Sequence, residues 1–221
     1  GHRIHTDFRP PVSEQELESW GNYVESTVQR YSSKIDYWEI WNEPNTIWFW
    51  NNNPDADEYL NLVKFTESLI NQNDDNPVII GGSLARLDLP FAKALFDRGI
   101  GDYIDVFTFH PYGHFPEGIV RRIDMPVQTP HWYIPADHQV EDLIETAENA
   151  NPDIQVWQGE CGYPSKMNTM GWNGTGPYSD RIQGKWIMRR ALVDLSFGSQ
   201  ISCYFLMKES KGGNNRRNYK G

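Results

Sequence analysis

At 221 residues the chain is long enough for one large domain with a core of its own. Hydrophobic residues make up 38% and charged residues 23%, a soluble, globular balance, and no apolar run approaches the length that spans a bilayer. The formal net charge of −10 argues against nucleic-acid phosphates as the main ligand and suits an uncharged partner such as a neutral sugar.

Cys161 and Cys203 are too few for a disulfide framework. They lack CxxC spacing and His neighbours, which argues against zinc. Each falls in a strand-like stretch and reads as a buried free thiol. The chain begins on Gly1 and stops at Gly221, both in loop-like stretches, and reads as a piece of a longer polypeptide.

Helical and strand-like segments alternate along the chain, the pattern of parallel strands joined by helical crossovers. The first helix is expected over Glu14–Tyr31. Ser13 and Glu16 form a capping box, and Leu17, Trp20, Val24, Val28 and Tyr31 make one buried stripe. A strand over Tyr37–Asn42 ends at Pro44 and leads into a loop rich in Trp and Asn. Pro54 can open a second helix at its first position, carrying Tyr59, Val63, Leu69 and Ile70 and ending near Asn71. The next strand, Val78–Ile80, is stopped by Gly81-Gly82. A short helix over Phe91–Arg98 ends at Gly99, and a strand over Ile104–His110 follows. A long loop from Pro111 to Pro135 precedes a helix over Asp137–Asn149. A strand over Ile154–Glu160, a helix over Asp180–Phe197 closed by Gly198, and a strand over Ile201–Met207 complete the pattern.

Five strands cannot close an eight-stranded barrel. Either the sheet is open, as in a doubly wound fold, or three strands lie upstream of residue 1. Gly81-Gly82 lacks the G-x-G-x-x-G spacing, which weakens a nucleotide-binding reading.

Two strands end on a glutamate: Trp41-Asn42-Glu43-Pro44-Asn45, and Trp157-Gln158-Gly159-Glu160-Cys161-Gly162. Pro44 is expected to keep Glu43 extended. Ligands of parallel α/β folds bind at the carboxyl ends of strands. Glycoside cleavage needs one acid to protonate the leaving oxygen and a second carboxylate to attack the anomeric carbon or activate water. A lone strand-end Glu is ordinarily a solvated loop residue; here two recur on strands of one alternating pattern. Glu39 is expected to point inward and make a structural ion pair, apart from the site.

Trp41-Asn42-Glu43-Pro44-Asn45 resembles the Asn-Glu-Pro signature of clan A glycoside hydrolases, which include families 5 and 39. The resemblance implies an incomplete (β/α)₈ barrel spanning strands four to eight, about five parallel strands with outer helices. It assigns Glu43 as acid/base after strand four and Glu160 as nucleophile after strand seven. His110-Pro111-Tyr112 resembles the clan's His-x-Tyr element beside the nucleophile. Leu206-Met207-Lys208 and Asn218-Tyr219-Lys220-Gly221 resemble the region after strand eight, where Tyr204 stands in place of the usual Trp.

On this resemblance the activity is retaining glycoside hydrolysis, with a carbohydrate as partner and neither metal nor organic cofactor required. A polysaccharide substrate would favour a secreted or periplasmic location. Asn42 would bond the sugar 2-hydroxyl, and Tyr112 or His110 would hold Glu160. Trp48, Trp50 and Trp172 would stack on sugar rings, although each could equally be loop packing. The alternatives are a catalytically inactive carbohydrate-binding barrel and a metal-dependent barrel hydrolase, which would need clustered His and Asp. Asn173-Gly174-Thr175 has the form of a glycosylation sequon and is read as chance.

Overall fold

The structure is a computed structural model that describes residues 9–50, 53–112, 116–119, 134–135, 137–163 and 179–205. In chain order the elements are α1 (Glu14–Tyr31), β1 (Tyr37–Glu39), α2 (Ala56–Asn73), β2 (Val78–Ala85), α3 (Leu89–Asp97), a 3₁₀ turn (Ile100–Asp102) and β3 (Val106–His110). There follow β4 (Gly118–Ile119), β5 (Ile134–Pro135), α4 (Asp137–Ala150), β6 (Gln155–Cys161), α5 (Asp180–Ser196) and β7 (Ser202–Tyr204). The main sheet has the order β1-β2-β3-β6-β7, and β4 and β5 form a separate antiparallel pair within the stretch expected to be loop. β1 runs parallel to β2, and β6 parallel to β7. Adjacent strands in chain order, each pair joined through a helix, are what the alternating pattern required.

Among the described residues two compact units are formed. The first draws on the chain up to Ala85 with Pro90–Phe107 and Thr146–Ile154. The second draws on Arg86–Leu89, Thr108–Glu145 and the chain from Gln155.

In the first unit α1 begins on the expected capping box. Glu16 N–H donates to Ser13 Oγ (3.3 Å), and Ser13 N–H donates to Glu16 Oε2 (3.0 Å). The bonds from Ser13 and Val12 hold the Glu16 carboxyl below its usual range. Val24 and Val28 are buried, Leu17 and Trp20 half-buried. Tyr31, expected in the stripe, is instead exposed, with the Arg30 guanidinium over its ring. Trp20 Nε1 donates to Thr66 Oγ1 of α2 (2.8 Å), tying the two helices together. α2 starts after Asp55, whose carboxylate accepts from the Asp57 and Glu58 amides. Pro54 therefore lies before the cap, not at the first helical position, because Asp55 satisfies two of the open N–H groups that a proline would leave alone.

β2 runs on to Ala85 and is not stopped by its glycines. Gly82 takes φ 87° and so keeps the strand paired through a local turn that a side chain would resist. Its N–H donates to Tyr59 Oη (3.0 Å), and Tyr59 Oη donates to Ile40 O (3.0 Å). Tyr59 thus pins β1 and β2 from α2, and its complete burial pushes the phenol far above its usual range, so it stays a donor. Tyr59, Val63, Ile70, Ile79, Leu95 and Phe107 fill this core, each buried side chain contributing about 1.5–3 kcal/mol. Glu39, expected to point inward, is exposed.

In the second unit α5 is turned contrary to ordinary amphipathicity. Its buried face carries Gln183, Arg190 and Asp194, whereas Met188, Leu192 and Leu195 are exposed. Phe109, Val156, Cys161 and Tyr163 are buried around β3 and β6. Both cysteines are free, but only Cys161 is buried; Cys203 on β7 is exposed, contrary to expectation. Strand alternation explains the difference, since Ser202 and Tyr204 flank Cys203 and face the other way. Among the described residues no helix is long and apolar enough to cross a membrane.

Candidate active site

The chain leaves β1 through Ile40, whose N–H donates to Ile80 O (2.9 Å). Trp41 then takes φ 70° and Glu43 φ 48°, which ends the strand earlier than the expected Asn42. Glu43 is therefore not extended. Pro44 disfavours the right-handed helical region for Glu43, and a tight turn selects the left-handed one instead. Glu43 N–H donates to Ser83 O (2.9 Å), while Thr46 N–H (3.1 Å) and Thr46 Oγ1 (3.0 Å) both donate to Glu43 O. Ser83 (φ 48°) and Arg86 (φ 62°) are strained in the same sense at the end of β2. Such residues cost about 1–3 kcal/mol each and persist where surroundings over-determine them.

The surroundings are aromatic. Trp50 is 1% exposed, packs edge-on against Trp41 and Tyr59, and donates through Nε1 to Glu58 Oε2 (3.1 Å). It therefore anchors the loop from inside and offers no face to a sugar, a correction to its expected role. Trp41 Nε1 donates to Phe49 O (2.8 Å), closing the same loop. Trp48 at the tip is 71% exposed and available for stacking. Asn42 is half-buried beside Glu43. Asn45, which sequence reasoning left without a role, is buried and clamps Ala85 at the end of β2. Its Nδ2 donates to Ala85 O (3.1 Å), and its Oδ1 accepts from Ala85 N–H (2.9 Å). The signal was its position in the motif, two residues beyond the strained glutamate.

In the second unit Glu160 is the penultimate residue of β6, half-buried. The pairing of β6 with β7 shifts register between Gln158 and Cys161, an irregularity that re-aims a side chain at a strand end. At Gly159 beside it a Cβ would lie 3.0 Å from Thr108 Cβ and 3.5 Å from His110 Nε2. Tyr112, two residues beyond β3, donates a short hydrogen bond from its hydroxyl to Glu160 Oε1. His110 is buried at the end of β3, and its carbonyl accepts from the N–H groups of Arg86 (2.9 Å) and Tyr112 (2.8 Å). The structure thus brings Tyr112 to Glu160 and seats His110 beside Gly159.

Tyr204 ends β7, half-buried and paired in register with Cys161. Trp172, the Asn173–Thr175 sequon, Leu206-Met207-Lys208 and Asn218–Gly221 lie outside the described residues. Burial pushes the Cys161 thiol up to about 11, so the residue next to Glu160 stays neutral and unreactive near pH 7. Among the described residues no group of three or more His, Cys, Asp and Glu could hold a metal ion.

No family model matches the chain. Among solved structures it is similar to a family 39 glycoside hydrolase from the gut symbiont Bacteroides cellulosilyticus WH2, at 21% identity and a TM-score of 0.67. That likeness covers 95% of this chain and 41% of the other. A GH39 β-xylosidase from Caulobacter crescentus matches at 16% identity and TM-score 0.60, over 93% of this chain and 40% of its own. A Ruminococcus gnavus β-glucuronidase matches at 14% identity and TM-score 0.60, over 94% and 33% respectively.

The fold is an incomplete (β/α)₈ barrel. The chain spans about two fifths of the length of the family 39 structures it matches.

Proposed function

We propose that this chain carries the catalytic carboxylates of a retaining glycoside hydrolase, Glu160 as nucleophile and Glu43 as acid/base. The observation that carries the reading is the bond from Tyr112 to Glu160 at the end of β6, in a fold whose solved relatives are glycoside hydrolases. A phenol donating to a carboxylate fixes its direction, which is what an attacking carboxylate needs.

In the first step a Glu160 oxygen attacks the anomeric carbon, the glycosidic C–O bond breaks, and the leaving oxygen takes the proton of Glu43. In the second, Glu43 removes a proton from water, the water oxygen attacks the anomeric carbon, and the ester bond to Glu160 breaks. Asn42 bonds the sugar 2-hydroxyl. Trp48, Trp172 and Tyr204 supply apolar faces for sugar rings. The partner is an oligo- or polysaccharide.

The test uses the full polypeptide that carries this sequence, with aryl xylosides, glucosides and glucuronides. Glu160→Ala is expected to lose about 10⁴-fold or more in turnover on every substrate the parent cleaves. Glu43→Ala keeps its first step on a good leaving group, accumulates the glycosyl-enzyme, and is rescued by azide to a glycosyl azide of retained configuration. Azide rescue of Glu160→Ala with retained configuration, and of Glu43→Ala to the opposite anomer, would swap the two roles. Sugar binding without turnover by the parent would make the protein a binding barrel. In a crystal structure of the full polypeptide a retaining pair lies about 5–5.5 Å apart, whereas about 6.5–9.5 Å means inversion.

A further inference from the structure

The buried polar face of α5 has no part in the chemistry above, yet it grips the segments on both sides of Glu160 and the one that follows Tyr112. Arg190 is 3% exposed and Asp194 fully buried. Arg190 Nε donates to Asp194 Oδ2 (2.9 Å), Nη2 makes a short bond to Asp194 Oδ1, and Nη1 donates to Pro116 O (2.8 Å). The neighbouring Arg189 donates twice to the Glu117 carboxylate, at 2.8 and 2.6 Å. Pro116 and Glu117 lie four and five residues beyond Tyr112.

The other arms reach β6. Ser202 Oγ donates toward Asp194 Oδ2 (2.8 Å) and Gln158 Oε1 (3.0 Å), one proton shared between a charged and a neutral acceptor. Gln158 precedes Glu160 by two residues, and its N–H also donates to Ser199 Oγ (3.0 Å). Three residues beyond Glu160, Tyr163 O accepts from Gln183 Nε2 of α5 (2.7 Å), and the Tyr163 ring meets Trp186 edge-on. One helix therefore reaches the segment just beyond the carboxylate and Pro116–Glu117, which follow its hydrogen-bond donor by four and five residues.

A buried ion pair is a poor way to gain stability, since desolvation offsets much of its attraction and apolar residues of similar volume often serve as well. Burial alone would make Arg190 easier to deprotonate, but the bond and charge of Asp194 outweigh that and hold the guanidinium charged. What the pair supplies that apolar packing cannot is direction: a planar fork that meets a carboxylate and one defined carbonyl at once.

We propose that Arg190 and Asp194 are positioning residues that set the Tyr112–Glu160 hydrogen bond, on the reading of Glu160 as nucleophile. The Arg190–Asp194 pair bonds Pro116, four residues beyond Tyr112, directly, and reaches Gln158, two residues before Glu160, through Ser202 of β7.

The test is a double-mutant cycle in the full polypeptide, with an aryl glycoside that the parent cleaves. Arg190→Lys keeps the charge, but a single ammonium cannot hold both Asp194 oxygens and the Pro116 carbonyl. It is expected to lower kcat about tenfold with KM within about twofold. Tyr112→Phe is expected to lower kcat at least as much, and the two together no further than Tyr112→Phe alone, because both break the same bond. Losses that multiply, or a parental kcat in Arg190→Lys, overturn the proposal. If Arg190→Lys does not fold, Ser202→Ala, which cuts only the arm between Asp194 and β7, is judged by the same criteria. If the parent cleaves no glycoside, double displacement fails as the function and the positioning role is read from crystal structures of parent and Arg190→Lys. An opened Tyr112–Glu160 contact then supports it, and an unchanged one overturns it.

Discussion

The two carboxylates are placed by different means. Glu43 is set by its backbone: a left-handed turn, two donors on its carbonyl, and an amide bonded to Ser83, beside the half-buried Trp41 that packs on the buried Trp50. Glu160 is set through its side chain, by Tyr112, at a register break in a buried strand. An acid/base must change protonation state twice in each cycle, and a backbone held in place fixes where that exchange happens. A nucleophile stays charged until it reacts and gains from a fixed donor.

The loop behind Glu43 offers the largest test of that contrast. Trp50→Ala removes a buried indole and is expected to cost about 3–5 kcal/mol in denaturant unfolding. Trp48→Ala, two residues earlier but exposed, should change stability by less than about 0.5 kcal/mol and raise KM for an oligosaccharide about 2- to 10-fold. Equal stability losses would mean that the loop is not anchored from inside.

On the Glu160 side the corresponding weak point is Gly159. Gly159→Ala sets a methyl group against Thr108 and His110 and should cost about 1–3 kcal/mol. It should also lower kcat with KM nearly unchanged, because the register break that aims Glu160 must shift. A variant with parental stability and kcat would show that the bulge has room to spare.

Asn45→Ala is expected to cost about 1–2 kcal/mol, since the Ala85 N–H and carbonyl lose their partner. Aspartate at this position keeps an acceptor for the amide and should recover part of the loss, measurable as a smaller drop in Tm.

The smallest effects concern the two thiols. Cys203 should react with a disulfide reagent at the rate of an exposed thiol, and Cys161 only as fast as the protein opens. Burial pushes the folded Cys161 thiol up to about 11, from an ordinary thiol value of 9.0. Folding therefore keeps its proton longer than the unfolded chain does. The associated stability is fully present below about pH 9 and is lost as pH rises through about 11. Comparing the parent with Cys161→Ala by urea unfolding across that range isolates this contribution. Identical pH slopes would show that the thiol is not buried.

Much of this was legible in the residues themselves. Local chemistry fixed the capping box of α1, because Ser13 and Glu16 need only each other and the first turn. Alternating apolar segments fixed the chain-order sheet, because parallel neighbours require a crossover between them. The strand-end glutamates stood out through their neighbours, the motif around Glu43 and the glycine before Glu160. Three-dimensional packing decided the rest. Gly81-Gly82 signals a stop, yet β2 continues, because Tyr59 from a distant helix bonds the Gly82 amide. Pro44 signals an extended Glu43, yet the hydrogen bonds of a turn override that local preference. Trp48 and Trp50 are chemically identical in one loop, and only the packing of Tyr59 and Trp41 sends one inward. The polar face of α5 was the least legible of all, since burying Arg190 and Asp194 makes sense only once Ser202 and Pro116 lie opposite them. A sequence states which groups can bond locally; desolvation at sites distant in the chain decides which of them must.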